Sequence, residues 1–270
     1  MSDHDVDAIS VGGLETCIQL PAWNLAFDIG RCPPRAVQQS RILCTHAHMD
    51  HLGGIAIYAA TRDLIGLPTP TIWVPAENHA DVLALFDVWR RLDQSDLPVN
   101  VHPCSPGDRI ELGPNRFAVP FRSPHRIRCQ GYALMSTRRR LAGAYAGLPQ
   151  AQIRERRLAG EDVSEAVDTV EIAFTGDSLI EVVEREPAVR TARLLIMEVT
   201  FLDQRVPVQK ARSSGHIHLD EVIERAHLFE NESILFTHFS ARYAAADVRR
   251  ILDDRLPPSL RDRVTPLLPG

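Results

Sequence analysis

In the stretch CTHAHMDHLGG, residues 44–54, three histidines and one aspartate crowd the positions from His46 to His51. Imidazoles and carboxylates ligate metal ions, and they are costly to bury without a partner. His46 and His48 are two positions apart, so on an extended or loop backbone they point the same way. Asp50 and His51 are adjacent and are expected to diverge, which permits two metal ions rather than one. Gly53 and Gly54 let the chain turn tightly, so that a helix can begin beside the site. A lone histidine is more often a surface or core residue than a ligand. Four ligand-type residues in this pattern predict metal binding.

The elements that must hold such a cluster are readable in the apolar patterning. AISVGG, TCIQL and NLAFDIG predict N-terminal strands, broken at Gly12-Gly13 and at Pro21. RILC, TIWVP, GYALMST, VEIAFT, RLLIMEV and SILFT predict further strands, and RIELGPNRFAVPF predicts a hairpin turning at Gly113-Pro114-Asn115. Helices are expected at ENHADVLALFDVWRRLD, with Val82, Leu85, Phe86 and Trp89 on one face, at HLDEVIERAHLFE and at AAADVRRILDD. The mixture suits a layered α/β sandwich with helices outside two sheets. One regularity points at the site. RILC runs into Thr45-His46, IAFT into Thr175-Gly176-Asp177 and ILFT into Thr237-His238. Rigid strands that deliver polar residues to adjoining loops are a common way to build an active site.

THAHMDH matches the His-x-His-x-Asp-His signature of the metallo-β-lactamase superfamily, and the chain resembles that family. The resemblance implies an αββα sandwich, a single domain over residues 1–270, with a binuclear metal site at one edge. It supplies three further ligands, for which the candidates are His125 in SPHRIRCQGY, Asp177 in FTGDS and His238 in FTHFS. Carried over residue by residue, His46, His48 and His125 hold one metal, Asp50, His51 and His238 hold the other, and Asp177 bridges. Two dications ~3.5–4 Å apart can hold a bridging hydroxide and stabilise both attacking and leaving oxygens. All seven positions are filled, so a metal-free scaffold is not expected. The ions are expected to be zinc, although a His/Asp set also accepts manganese or iron. His4, His79, His102 and His227 are read as surface or helix-face residues.

The flanking segments resemble the ribonuclease Z branch. HRIRCQGYAL is similar to the segment in which the third histidine is followed by a Gly-Tyr strand. MEVTF resembles the His-Glu-Ala-Thr motif, with Glu198 and Thr200 kept and Met197 in place of the histidine. GHIHLDEVIERA stands where that branch carries His-Ser-Thr, and LFTHFSARY is close to its last motif. The resemblance, from Val11 to Tyr243, implies a phosphodiesterase or endoribonuclease working through a metal-bridging hydroxide. It also implies a precursor tRNA or smaller phosphodiester substrate, and a homodimer. Cleaving a P–O bond requires a proton for the departing alkoxide, which a histidine held by a carboxylate can supply. His216 oriented by Glu198 is expected in that role, with His218 as its competitor and Asp50 both ligating metal and steering the hydroxide. A lactonase or thioesterase is the second reading, since HAHMDHLGG alone would suit it; a non-catalytic binding protein is the third.

With 270 residues the chain can bury a substantial core. A net charge of −5 gives no overall attraction to nucleic acid. Locally the balance reverses: from Arg122 to Arg157 there are nine arginines and one acid, Glu155. Such a run predicts a phosphate-attracting surface, with Arg138, Arg139, Arg140 and Arg242 as candidates for holding substrate. Residues 138–170 stand where the ribonuclease Z branch inserts a tRNA-gripping arm; here the segment reads as a shortened insertion without the arm's Pro/Gly-rich motif. Weak, salt-sensitive action on RNA is therefore expected. No apolar run approaches the ~18 residues that span a bilayer. The acidic start lacks a signal-peptide layout. Five scattered cysteines fit reduced thiols. A cytoplasmic protein is expected.

Overall fold

The computed structural model describes residues 5–268, and in it the apolar runs form two seven-stranded sheets. The first contains β1 (Asp7–Gly12), β2 (Glu15–Leu20), β3 (Leu25–Phe27), β4 (Arg41–Leu43), β5 (Thr71–Pro75) and β6 (Asn100–Cys104). The second contains β7 (Ile110–Gly113), β8 (Arg116–Ser123), β9 (Cys129–Leu141), β10 (Ser164–Phe174), β11 (Leu194–Glu198) and β12 (Ser233–Thr237). A short β13 (Phe239–Ser240) crosses back to pair with β1 in the first sheet, and β14 (Val264–Pro266) closes the second beside β12.

Period-two patterning explains the layering. In β2, Ile18 and Leu20 face the space between the sheets, while Cys17 faces the outer helices. Phe27 of β3 meets Phe174 of β10 across that space, ring centroids 4.9 Å apart; such a pair is worth ~0.5–1.5 kcal/mol beyond its buried area. Outside the first sheet, helices Ile55–Leu64 and His79–Asp93 bury Ile55, Tyr58, Val82 and Phe86. Outside the second, helices Leu219–Glu224 and Ala245–Arg255 bury Leu219, Val222, Val248 and Ile251. The αββα sandwich is thus present, in one domain.

Three local expectations need correction. Leu85 and Trp89 do not share the buried face of their helix; they are 39% and 41% exposed, and only Val82 and Phe86 face the sheet. β6 was not anticipated, because it is an edge strand carrying Pro103 and only Cys104 of its residues is buried. β9 and β10 run well past the expected GYALMST and VEIAFT. Their ends, Arg138–Leu141 paired with Ser164–Val167, form a ribbon with helix Gln150–Leu158 in its connection.

Strand direction decides what this scaffold can position. β8 and β10 are both antiparallel to β9, and β10, β11 and β12 are mutually parallel. The C-terminal ends of β8, β10, β11 and β12 therefore gather at one edge. A hydrogen bond from Gln130 N–H to the Thr45 carbonyl (3.0 Å) ties that edge to the end of β4 in the other sheet.

Candidate metal centre

All seven expected ligands converge at this edge. His46, His48 and His125 form one group with Asp177, and Asp50, His51 and His238 form another, the offered atoms within each lying within 4.8 Å of one another. Asp177 reaches both. Its Oδ2 is 3.6 Å from His46 Nε2 and 3.9 Å from His125 Nε2, while its Oδ1 is 3.3 Å from His51 Nε2 and 3.4 Å from His238 Nε2. Asp50 and His51 do not diverge as adjacent loop residues would. They lie in a short helix, Met49–Leu52, and converge with Asp50 Oδ2 3.7 Å from His51 Nε2 and 3.5 Å from His238 Nε2.

Hydrogen bonds behind the rings fix which nitrogen faces the cluster; the tautomers are assigned from that network. Thr45 Oγ1 donates to Asp28 (2.8 Å), so it must accept from His46 Nδ1 (2.9 Å). His51 Nδ1 donates to Asp28 at 2.7 Å, and His125 Nδ1 to the Gly215 carbonyl at 2.7 Å. Thr200 Oγ1 donates to Glu198 (2.5 Å) and therefore accepts from His238 Nδ1 (3.0 Å). Four Nε2 lone pairs and His48 Nδ1 are left facing inward. His51 Nε2 and His238 Nε2 stand 3.4 Å apart, as do His125 Nε2 and His48 Nδ1; His46 Nε2 and His48 Nδ1 are 2.9 Å apart. The lone pairs of His51 and His238 repel unless a cation lies between them, whereas His48 has no hydrogen bond fixing its tautomer and can donate from Nδ1 to His46 Nε2. The 3.4 Å separations also fit a cation, since ligand atoms ~2.0–2.1 Å from a tetrahedral zinc stand about 3.4 Å from each other.

Electrostatics follow from this crowding. Burial pushes His46 well below the ordinary imidazole range, and lowers His48 and His125 as well. Burial alone would lower His51 too, but the charges of Asp177 and Asp28 outweigh it and raise the ring well above its usual value. Conversely, burial would raise Asp177 and Asp50; His238 and His51 outweigh it and hold both carboxyls low.

Asp28, at the end of β3, was not singled out from the sequence. It is fully buried, adopts φ 58°, and accepts from the Thr45 backbone (2.7 Å) as well as from the Thr45 hydroxyl and His51. The available signal was an acid ending the apolar run NLAF, which only a buried polar partner would permit.

Beside the two groups, His216 Nδ1 is 3.0 Å from Glu198 Oε1. Burial would lower this imidazole, but the Glu198 charge and hydrogen bond, helped by Asp177, raise it to about 9. Glu198 is itself locked: it also accepts from the backbone of Ser178 (2.7 Å) and Ile217 (3.3 Å) and from Thr200. His218 is not a competitor. It is fully buried, accepts from Asp220 N–H at 3.1 Å as the cap of helix Leu219–Glu224, and faces the Asp203 carbonyl with its other nitrogen.

A family model, "Beta-lactamase superfamily domain", matches residues 30–239. A tRNase Z of Arabidopsis thaliana, TRZ1, is 40% identical over 99% of this chain and 96% of its own length. The chain belongs to the tRNase Z family of the beta-lactamase superfamily. Solved structures share the fold. The short form of human tRNase Z superposes with a TM-score of 0.60 at 18% identity, covering 88% of this chain and 93% of that one. The metallo-β-lactamase fold protein YhfI of Bacillus subtilis gives 0.64 at 16% identity, covering 98% and 97%.

Within this tRNase Z family frame, three of the four arginines expected to hold substrate, Arg138, Arg139 and Arg140, do not gather at the site. Arg138, Arg139 and Arg140 lie on the ribbon, where Arg138 pairs with Glu171 at 3.2 Å and Arg139 pairs with Asp162. Gln130 marks the metal edge, and β9 runs away from it, so eight residues at ~3.3 Å each put Arg138 roughly 25 Å off. Arg242 is exposed on the loop after His238 and touches Ser240 Oγ at 3.4 Å. Of the remaining histidines, His79 faces the Val101 carbonyl at 3.2 Å and His102 lies against Trp73; His4 lies outside the described residues.

Proposed function

We propose that the chain is a zinc-dependent phosphodiesterase of the ribonuclease Z type that cleaves RNA, tRNA precursors included. The observation that carries this reading is the His216–Glu198 pair set against two complete ligand groups that share Asp177. When bound, the two ions supply Lewis acidity toward the phosphate and lower the pKa of water. The remaining work falls to the chain. Asp50 is held by the Gly13 N–H at 2.9 Å, so that it can orient an attacking water from a fixed position. Glu198 engages His216 Nδ1, leaving Nε2 to carry a proton, and the Glu198 charge favours the protonated ring. His216, with its side chain 17% exposed, can deliver it to the departing alkoxide.

A lactone or thioester hydrolase is not favoured. A thiolate leaves without a proton donor, so a thioester would not call for the His216–Glu198 pair. A lactone expels an alkoxide as a phosphodiester does, and what weighs against it is the 40% identity to TRZ1 over 99% of the chain. The shortness of residues 138–170 does not argue against tRNA precursors, because TRZ1 aligns over 96% of its length and leaves little room for a longer insertion of its own. Five unpaired cysteines support a reducing, cytoplasmic setting. A second copy is the proposed partner for the outer helices, where Leu64 is 84% and Leu92 70% exposed; a monomer in sedimentation at micromolar concentration would overturn that. The function is tested by giving metal-replete protein a precursor tRNA, bis(p-nitrophenyl) phosphate, a lactone and a thioester. Turnover of the phosphodiesters alone is expected, and turnover of the lactone or thioester alone overturns the reading.

A further inference from the structure

The arginine run splits into two surfaces, and the nearer one has no role in the chemistry above. Beside the metal centre lies a cleft of about 680 Å³, with His125 in its wall and Arg122, Arg126, Arg128 and Arg185 around it. Arg122 to Arg128 come from the end of β8 and the loop that follows, whereas Arg185 arrives from helix Glu181–Arg185. Two segments far apart in sequence thus aim guanidinium groups at one space. Among the described residues the only acid in its wall is Glu77, which lies 3.4 Å from Arg128. Among the described residues, Arg122, Arg126 and Arg185 have no ion-pair partner. Three exposed cations beside the candidate metal centre, none held in a close ion pair and only Arg185 with a nearby acid on its own helix, Glu181, suit an anion from outside.

The connection to the metal ligands is short. Cys129 lines the cleft and also donates to the Asp177 carbonyl at 3.2 Å. The stem of Arg126 lies so close to Gly215 that a Cβ there would come within 2.8 Å of it, and the Gly215 carbonyl is the acceptor that orients His125. A chain with one phosphate at the metals would have its neighbouring phosphates here. No Phe, Tyr or Trp lines the cleft among the described residues, so it offers guanidinium groups for phosphates and no platform for stacking bases.

We propose that this cleft is the groove for the single-stranded RNA backbone adjoining the scissile bond, gripped without regard to sequence. The proposal rests on the phosphodiesterase reading and names where that substrate's neighbouring phosphates sit. It is tested with zinc-loaded protein in a His216→Ala background, which keeps the seven expected ligands and slows cleavage. Binding of a fluorescein-labelled oligouridine is followed by anisotropy across a salt series. Each phosphate contact on a single strand contributes about 0.7 to the slope of log K against log salt. Replacing Arg122, Arg126 and Arg185 together with glutamine should flatten that slope by roughly 2. A charge-matched control, Arg91→Gln with Arg249→Gln and Arg250→Gln, should leave it unchanged. An unchanged slope in the cleft variant, or an equal loss in the control, overturns the groove. Failure of the underlying reading would show separately, as wild-type protein that turns over neither RNA nor bis(p-nitrophenyl) phosphate.

Discussion

Asp177 is the residue on which both ligand groups depend, because one oxygen faces each. Asp177→Ala should therefore abolish hydrolysis and lower the metal content, measured by elemental analysis, from about two ions per chain. His48→Ala removes a ligand from one group only and should lower occupancy less. A different outcome is expected at His216: with Asp177 and His238 it forms a third group of metal-ligand type, but its Nδ1 is 3.0 Å from Glu198 and 3.9 Å from Asp177, so Glu198 is its nearer partner. His216→Ala should leave the ions bound and slow cleavage of RNA by roughly 10²–10⁴. Glu198→Gln should cost less in the same direction. Substrates with a p-nitrophenolate leaving group need little protonation and should lose much less. An equal loss on good and poor leaving groups would remove His216 from the proton-donor role.

At the scale of elements, β9 explains what the ribbon can and cannot do. The strand is continuous from the metal edge to Leu141, so the ribbon stands at the far end of the second sheet. Replacing residues 142–163 by an Asn-Gly turn keeps the Leu141–Ser164 pair as the last rung of a hairpin. Metal content and turnover of small phosphodiesters should be unchanged, while affinity for long RNA falls. Lost turnover of bis(p-nitrophenyl) phosphate would show that the ribbon reaches the site after all. The same geometry marks where the sequence was legible. His46 to His51 were readable because four ligand types are adjacent, and Asp177 and His238 because each follows an apolar strand and a threonine. Asp28 was not, since its partners Thr45 and His51 reach it only through the pairing of β3 with β4. His218 could not be told from His216 by spacing, because the helix starting at Leu219 turns its ring away. The nine arginines formed one run in sequence, but the length of β9 separates them in space.

Over the whole molecule, the ligands come from both sheets: His46, His48, Asp50 and His51 follow β4, while His125, Asp177 and His238 follow β8, β10 and β12. Bound ions therefore cross-link the two halves of the sandwich at one edge, and binding stabilises the folded state alone. A site held at 100 times its dissociation constant contributes about 2.7 kcal/mol. For a domain of this size 1 kcal/mol corresponds to about 2–4 °C in Tm, so losing one site should lower Tm by roughly 5–10 °C and stripping both by about twice that. The metal-free chain should still fold, because His51 keeps its ion pairs with Asp28 and Asp177, at 2.7 and 3.3 Å, and the core between the sheets uses none of the ligands. Calorimetry at fixed protein concentration, before and after a chelator and again after zinc is restored, measures the difference. A Tm that does not move on chelation would mean that the ions add nothing to the join between the sheets. Unfolding on chelation would mean that they are what holds it.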